Sequence, residues 1–458
     1  MQFLFQEDPM KTRDMTAGSP LRLLLLFALP MMAGNICQQL YTLIDAAFVG
    51  RGAGTLALAA VGAADWFNWV VLGVIWGYTQ GFSVLISQHF GAGEMQEVRR
   101  AVGLSVSLTA LISVLLVIVS QLLVTPVLRL LETPENIFNQ AALYLRILFG
   151  ALPVLGAYNV EAAILRAVGD AKSPLYAMII ASIINIALDW LFVMVFRWGI
   201  AGAAAATVLA QGASAIYCLI IIRRIPSIRF EKKDLAWHGE TGGRLLRLGT
   251  PLAIQNAIIG IGGMALQRVV NPYQSDFIAG YTATNKLYGL MEMAAVSFGG
   301  ALGAYTGQNF GARKMDRVKK GVRVGALLSL ATSLVILGAL FLLGRPILSL
   351  FVDPGESQVQ YVLDVGQRYL NVMLCALPSL YLLYVYRSAL QGMGDTITPM
   401  ASGLVEFFMR VGMALFLPGL IGPDGIFIAE ISAWIGAVIL LSIVYYLKMH
   451  KLSQRRML

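Results

Sequence analysis

Twelve long apolar runs decide what this chain can fold into. They lie at about 23–49, 57–86, 101–124, 138–168, 174–196, 199–222, 246–271, 277–308, 322–344, 358–391, 397–418 and 425–447. A hydrocarbon layer about 30 Å thick is crossed by roughly 20 apolar residues in a helix. Backbone groups inside lipid must be satisfied within the segment, so each run is predicted as a transmembrane helix. Several exceed the minimum length, which predicts tilt or bending. Pro30, Pro153, Pro251 and Pro378 are the expected bends, because proline removes a helix hydrogen bond. Only 13% of the 458 residues are charged and 58% are hydrophobic. Soluble domains carry roughly 25% charged residues, so this chain lacks the polar surface a soluble fold needs.

The formal net charge of +9 does not point to nucleic acid, because of where the basic residues fall. With both termini inside, the cytoplasmic segments hold clusters such as Arg99-Arg100, Arg223-Arg224, Lys232-Lys233 and Lys319-Lys320, with Lys11, Arg455 and Arg456 near the ends. The opposite loops hold only Arg51, Arg129, Arg197 and Arg345. That asymmetry predicts cytoplasmic termini in an inner or plasma membrane. The first run is too long for a signal peptide and no A-x-A pattern follows it, so a retained helix is expected, with Ser19 as N-cap and Pro20 at the first helical position. Cys37, Cys218 and Cys375 have neither disulfide nor zinc spacing and are read as packing residues.

The chain repeats itself. Ser87-Gln88-His89-Phe90-Gly91-Ala92 returns 220 residues later as Gly307-Gln308-Asn309-Phe310-Gly311-Ala312. Gly169-Asp170 followed by Pro174 returns 225 residues later as Gly394-Asp395 followed by Pro399. A modest insertion around Pro354 to Asp364 accounts for most of the drift. Six spans per half make the repeats parallel, with a cavity expected between them. The expected architecture is an all-α membrane protein: a cytoplasmic segment 1–22, a first lobe 23–222, a cytoplasmic linker 223–245, a second lobe 246–447 and a tail 448–458. Trp237 and the basic residues of the linker suit either the lipid surface or a solvated connection.

Enzymatic machinery has no support. There is no G-x-x-x-x-G-K-[ST] phosphate loop and no H-E-x-x-H, and His89, His238 and His450 sit at run ends or in loops. No cofactor is expected.

Polar residues inside the runs carry the functional argument, because an ionisable group in a span is costly. Asp45 lies late in the first run, with Tyr41 one turn earlier on the same face. Asp189 lies in the fifth run with Asn185 one turn earlier, and Thr207 lies in the small-residue sixth run. Two carboxylates, an amide and a hydroxyl suit a small cation, and two adjacent carboxylates suit a shared proton. Two arrangements fit these residues: the four converge on one site, or each acid sits at a water-exposed helix end.

Four features together resemble the multidrug and toxic compound extrusion (MATE) family over about residues 20 to 447. They are Asp45-Ala46-Ala47-Phe48-Val49-Gly50, the paired Gln-x-Phe-Gly-Ala segments, the paired Gly-Asp-x-x-x-Pro loops, and Asn185-x-x-x-Asp189. The resemblance implies a MATE/MOP-type fold of two pseudo-symmetric six-helix bundles. It implies that Asp45 and Asp189 bind a coupling Na⁺ or H⁺ with Asn185 and Thr207 assisting. It also implies that Tyr41 lines the cavity, with Tyr144 and Asn159 as looser matches.

The second half departs from the family's pattern. Some members carry a glutamate on the seventh helix, where this chain has Gln255, Ile259 and Gln267. Gln255 and Glu292, the latter near Asn285 and Lys286, are the candidates for substrate contact there. Glu406 and Arg410, four apart, are expected to form an intrahelical pair. Glu161 is expected to pair with Arg166, and Arg146 and Arg368 to neutralise other intramembrane acids. Asp170 and Asp395 are expected to cap the following helices. The 19 methionines offer adaptable apolar contacts, whereas Trp66 and Trp69 fit an interfacial belt.

The function expected is antiport: export of cationic amphipathic drugs in exchange for Na⁺ or H⁺ by alternating access, from a monomer embedded in lipid. Ion loading would neutralise the two acids and let the first span bend at Pro30. A flippase for lipid-linked saccharides is the alternative; it calls for a cationic cavity, and mid-span basic residues are few. An intramembrane lipid enzyme and a passive channel are further rivals.

Overall fold

The computed structural model describes residues 12–351 and 358–454. Lys11, Arg455, Arg456 and residues 354–357 of the expected insertion lie outside them. The described chain is helical: α1 Pro20–Phe48, α2 Thr55–Ala92, α3 Met95–Leu130, α4 Glu135–Gly150, α5 Leu152–Ala167, α6 Lys172–Asp189, α7 Gly199–Arg224, α8 Gly239–Val270, α9 Ser275–Gly311, α10 Met315–Leu348, α11 Val359–Gly392, α12 Ile397–Phe416, α13 Pro418–Ile421 and α14 Gly425–Gln454. Eleven helical segments are long and apolar enough to cross a membrane, and α4 with α5 makes the twelfth span.

That span is broken rather than continuous. α4 and α5 meet at 53°, with Pro153 at the start of α5, where its missing N–H costs nothing. Pro30, Pro251 and Pro378 instead lie inside helices that run on through them. Several helices outrun their apolar cores. α8 begins at Gly239, inside the expected linker, and α14 continues to Gln454, inside the expected tail. Helical hydrogen bonding does not stop where lipid stops, so hydropathy marks the dry part only. Ser19 stands at the N-cap of α1 with Pro20 behind it, but its side chain makes no capping bond.

α1–α7 and α8–α14 form two groups that meet along α2 and α8. Glycine permits this seam: Gly77 faces Ala253 and Gly81 faces Gly249, with no room for a Cβ on either. Small residues allow such backbone approach where no hydrophobic drive acts between helices. Trp66 and Trp69 belong to this seam. They pack over Gly263 and Gly260 of α8, and so serve as inter-helix wedges rather than only a belt. Asn256 Nδ2 also donates to Gly73 O at 3.0 Å.

Charges inside the second group are paired across helices rather than along them. Glu406 accepts from Arg387 of α11, and Arg410 donates two bonds of 2.8 Å to Glu430 of α14. The expected Glu406–Arg410 pair is therefore replaced by two interhelical pairs, because a guanidinium facing a carboxylate on a neighbouring helix can bind it with both prongs. Glu161 does not pair with Arg166. Five residues along one helix put side chains about 140° apart, and Glu161 Oε2 is buried without a donor. Arg146 meets Thr125 Oγ1 at 3.3 Å rather than an acid. Arg368 reaches Asp424, in the turn before α14, at 3.4 Å, with both groups partly exposed. The expected caps are present: Asp170 Oδ1 accepts from Lys172 N and Ser173 N at 3.0 and 2.9 Å, and Asp395 Oδ1 from Thr398 N at 3.1 Å.

Candidate functional site: paired carboxyls in the first lobe

Asp45 stands one turn from the end of α1, and Asp189 is the last residue of α6. Each helix then loosens into a short π-helical segment, Val49–Ala53 after α1 and Trp190–Val195 after α6. Such π turns are uncommon and gather at functional sites. The two segments pack on each other through Gly52, where a Cβ would lie 2.7 Å from Val193 Cγ1 and 2.8 Å from Met194 Sδ. This contact draws the ends of α1 and α6 together.

The result sets two acids beside each other. The Asp45 and Asp189 carboxyls lie within hydrogen-bonding reach of each other. Yet Asp45 Oδ1 and both oxygens of Asp189 are buried without a protein donor. Asn185 is 1% exposed, and neither its amide N nor its O has a partner. Unpaired buried polar atoms are costly. Two residues four positions apart on α6 thus hold an amide and an acid whose buried polar atoms the protein itself does not satisfy. A proton shared between the carboxyls, or a cation bridging them, supplies what is missing.

Of the other expected site residues, Tyr41 and Tyr144 lie near the acids. Tyr41 is within hydrogen-bonding reach of Gln211 on α7 and close to Asp45. Tyr144 of α4 is buried within electrostatic reach of Asp45, Asp65, Tyr41 and Asp189. Thr207 lies half-buried on α7, one turn before Gln211. Asn159 spends its amide on its own helix, Nδ2 donating to Leu155 O at 2.8 Å. Gln255 is buried against Gly403 of α12, in the second lobe and away from the acids. Glu292 accepts from Tyr384 Oη at 2.7 Å, with Tyr288 also in reach. It therefore belongs to a separate polar cluster in the second lobe.

Two neighbours of the acid pair escape the sequence reading. Asp65 of α2 feels the Asp45 charge, and the costly-acid rule flags it when applied to the second run. Among the described residues no three acids, histidines or cysteines converge as a metal-binding set, so Asp65 is a neighbouring charge rather than a third ligand. Gln211 carries a weaker signal, its spacing of four from Thr207 on one helix face.

Comparison with known proteins identifies the family. The MatE family profile matches residues 30–191 and 251–416, one stretch in each lobe. The chain is 32% identical over 359 residues to the probable multidrug resistance protein YoeA of Bacillus subtilis, covering 77% of this chain and 78% of that one. It is 30% identical over 428 residues to the probable multidrug resistance protein YpnP of the same organism, covering 93% and 92%. Its fold superposes on a MOP superfamily transporter from Pyrococcus furiosus with a TM-score of 0.90 at 22% identity, covering 98% of this chain and all of that one. The profile match across both halves, two close relatives and the shared twelve-helix fold make this chain a member of the MATE family, a multi-pass membrane transporter and not an enzyme.

Proposed function

We propose that this transporter is a multidrug exporter that moves cationic amphipathic compounds outward in exchange for Na⁺ or H⁺. The observation that carries the proposal is the approach of the Asp45 and Asp189 carboxyls, with Asp45 Oδ1 and both Asp189 oxygens buried without a protein donor. Two carboxyls this close favour a proton or cation between them, so loading and unloading would change the net charge of the site. Asn185, Thr207 and Tyr41 supply uncharged oxygen around it. The names of the two Bacillus relatives support the drug cargo. The distribution of basic residues supports cytoplasmic termini in the cell membrane. Loading alters the balance between inward- and outward-open states only by the ion's different affinity for each.

The flippase alternative asks for cationic groups free to hold a pyrophosphate. Arg387 and Arg410, the buried arginines of the second lobe, are already committed to Glu406 and Glu430, which counts against it.

Asp45→Asn keeps the shape of the site and removes one charge. In a drug-sensitive host, cells carrying this variant should lose resistance to a cationic dye such as ethidium while membrane levels of the protein stay at the parental level. Undiminished resistance would refute the coupling role.

A further inference from the structure

The duplicated Gln-x-Phe-Gly-Ala segments play no part in the acid site, yet they are what the two lobes touch each other with at one end of the molecule. Gly91 lies on the backbone of Gln308 and Gly311 lies on the backbone of Gln88, each so close that a Cβ would overlap the facing chain. The glutamines then cross over. Gln88 Nε2 donates to Gly392 O at 2.9 Å, and Gln308 Nε2 donates to Ala167 O at 3.0 Å. Those carbonyls end α11 and α5, two residues ahead of Gly394-Asp395 and Gly169-Asp170. Both repeated motifs are therefore used twice and reciprocally, each lobe's glutamine holding the last turn before the other lobe's Gly-Asp loop.

One bolt is secured further. Arg13 N donates to Val168 O at 3.1 Å, beside Gly169, whose φ of +88° and missing Cβ let the Arg13 carbonyl sit against it. Met15 N then donates to Gln308 Oε1 at 2.8 Å, and Met15 O accepts from Asn309 Nδ2 at 3.0 Å. Lys314, at the N-cap of α10, and Arg317 hold Thr16 O and Gly18 O at 3.0 and 2.9 Å. Met15 and Gln308 are fully buried. Residues 13–18 thus run from the first lobe's α5 end across to the second lobe.

We infer that the paired segments are the gate that closes the transporter at this end, which the basic-residue pattern assigns to the cytoplasm. Gln88 and Gln308 are its bolts, and residues 13–18 are a strap that locks the Gln308 bolt. The inference rests on the alternating-access reading for its purpose, not for its geometry. Contacts of this kind suit a reversible closure. Glycine-to-backbone apposition leaves no interlocked side chains, and each neutral hydrogen bond is worth only about two- to tenfold in an equilibrium. At the opposite ends of α8 and α3, Arg268 and Glu132 approach only to 3.6 Å with both side chains largely exposed, a contact of little strength.

The test uses the full chain in lipid nanodiscs, with Cys37, Cys218 and Cys375 replaced and spin labels at Gln96→Cys and Lys320→Cys, both exposed within the first two turns of α3 and α10. Pulsed electron spin resonance reads the separation of those turns. The double variant Gln88→Ala/Gln308→Ala should raise the long-distance population relative to the short one by roughly tenfold, the size of two hydrogen bonds. Lys314→Ala/Arg317→Ala should raise it less, and Gly311→Ala should raise it by steric wedging. An unchanged distribution in the glutamine double variant, with monodisperse protein, would overturn the gate. So would an equal shift from Gln121→Ala, which lies outside it. No cargo or gradient enters this measurement. A parent that fails to export drugs would sink the exporter reading while the gate stood on the label distances.

Discussion

Arg387 and Glu406 illustrate what a single residue position can and cannot reveal. Each is legible in the sequence as an ionisable group in an apolar run. Their partner choice is not, because it depends on which neighbouring helix face arrives opposite. The intrahelical spacing of Glu406 and Arg410 suggests one pair; the fold makes two, Arg387–Glu406 and Arg410–Glu430. Removing one partner of a buried pair leaves an uncompensated charge and costs about 3–5 kcal/mol. Arg387→Met should therefore lower the thermal unfolding midpoint in detergent sharply. Arg387→Met with Glu406→Leu should recover most of that loss, as replacement of both partners by apolar groups is close to neutral. If the double variant is no more stable than the single one, the ion pair is not what the charges are for. Asp45, Asp189 and Asn185 were within reach of the sequence through composition of the spans and the MATE resemblance. Asp65 was equally visible by the same rule, and Gln211 nearly invisible, because an isolated polar amide in a helix has many structural uses.

At the scale of elements, hydropathy finds the twelve spans because lipid imposes one requirement on all of them. It does not find where helices end in water, and so α8 and α14 outrun their expected limits. Nor does it find a change in helix pitch. The π segments Val49–Ala53 and Trp190–Val195 arise from how two helix ends fit together at Gly52, a tertiary fact with no local signature beyond the glycine itself. That fit is testable. Gly52→Leu forces a side chain into Val193 and Met194, and overpacking of this sort typically costs about 1–3 kcal/mol. Dye efflux by this variant should fall well below the parent while Gly54→Leu, whose glycine faces open space, serves to separate steric from backbone effects: it strains φ alone. Full efflux from Gly52→Leu would mean that the packing of α1 on α6 does not set the carboxyl contact.

Across the whole molecule, the internal repeat predicts the two-lobed plan, and the plan in turn explains why one motif appears twice. A pseudo-two-fold arrangement brings equivalent segments face to face near the axis, which is where Gln88 and Gln308 meet the opposite lobe. The sequence displays the duplication but not the crossing, since 220 residues of separation say nothing of which copies touch. The Asp45–Asp189 pair, by contrast, lies in the first lobe. The second lobe holds Glu292 with its tyrosines and the two ion pairs, so symmetry of fold coexists with asymmetry of charge. The proposed coupling uses one lobe and the inferred closure uses both.

The central claim is that the Asp45–Asp189 contact converts an ion gradient into export. It is tested most directly by purified protein in proteoliposomes, with ethidium efflux followed while Na⁺ and pH gradients are imposed separately. The parent should respond to at least one inward gradient, and Asp45→Asn to neither, although both should bind the dye. Gradient-driven efflux by Asp45→Asn at the parental rate would contradict the account.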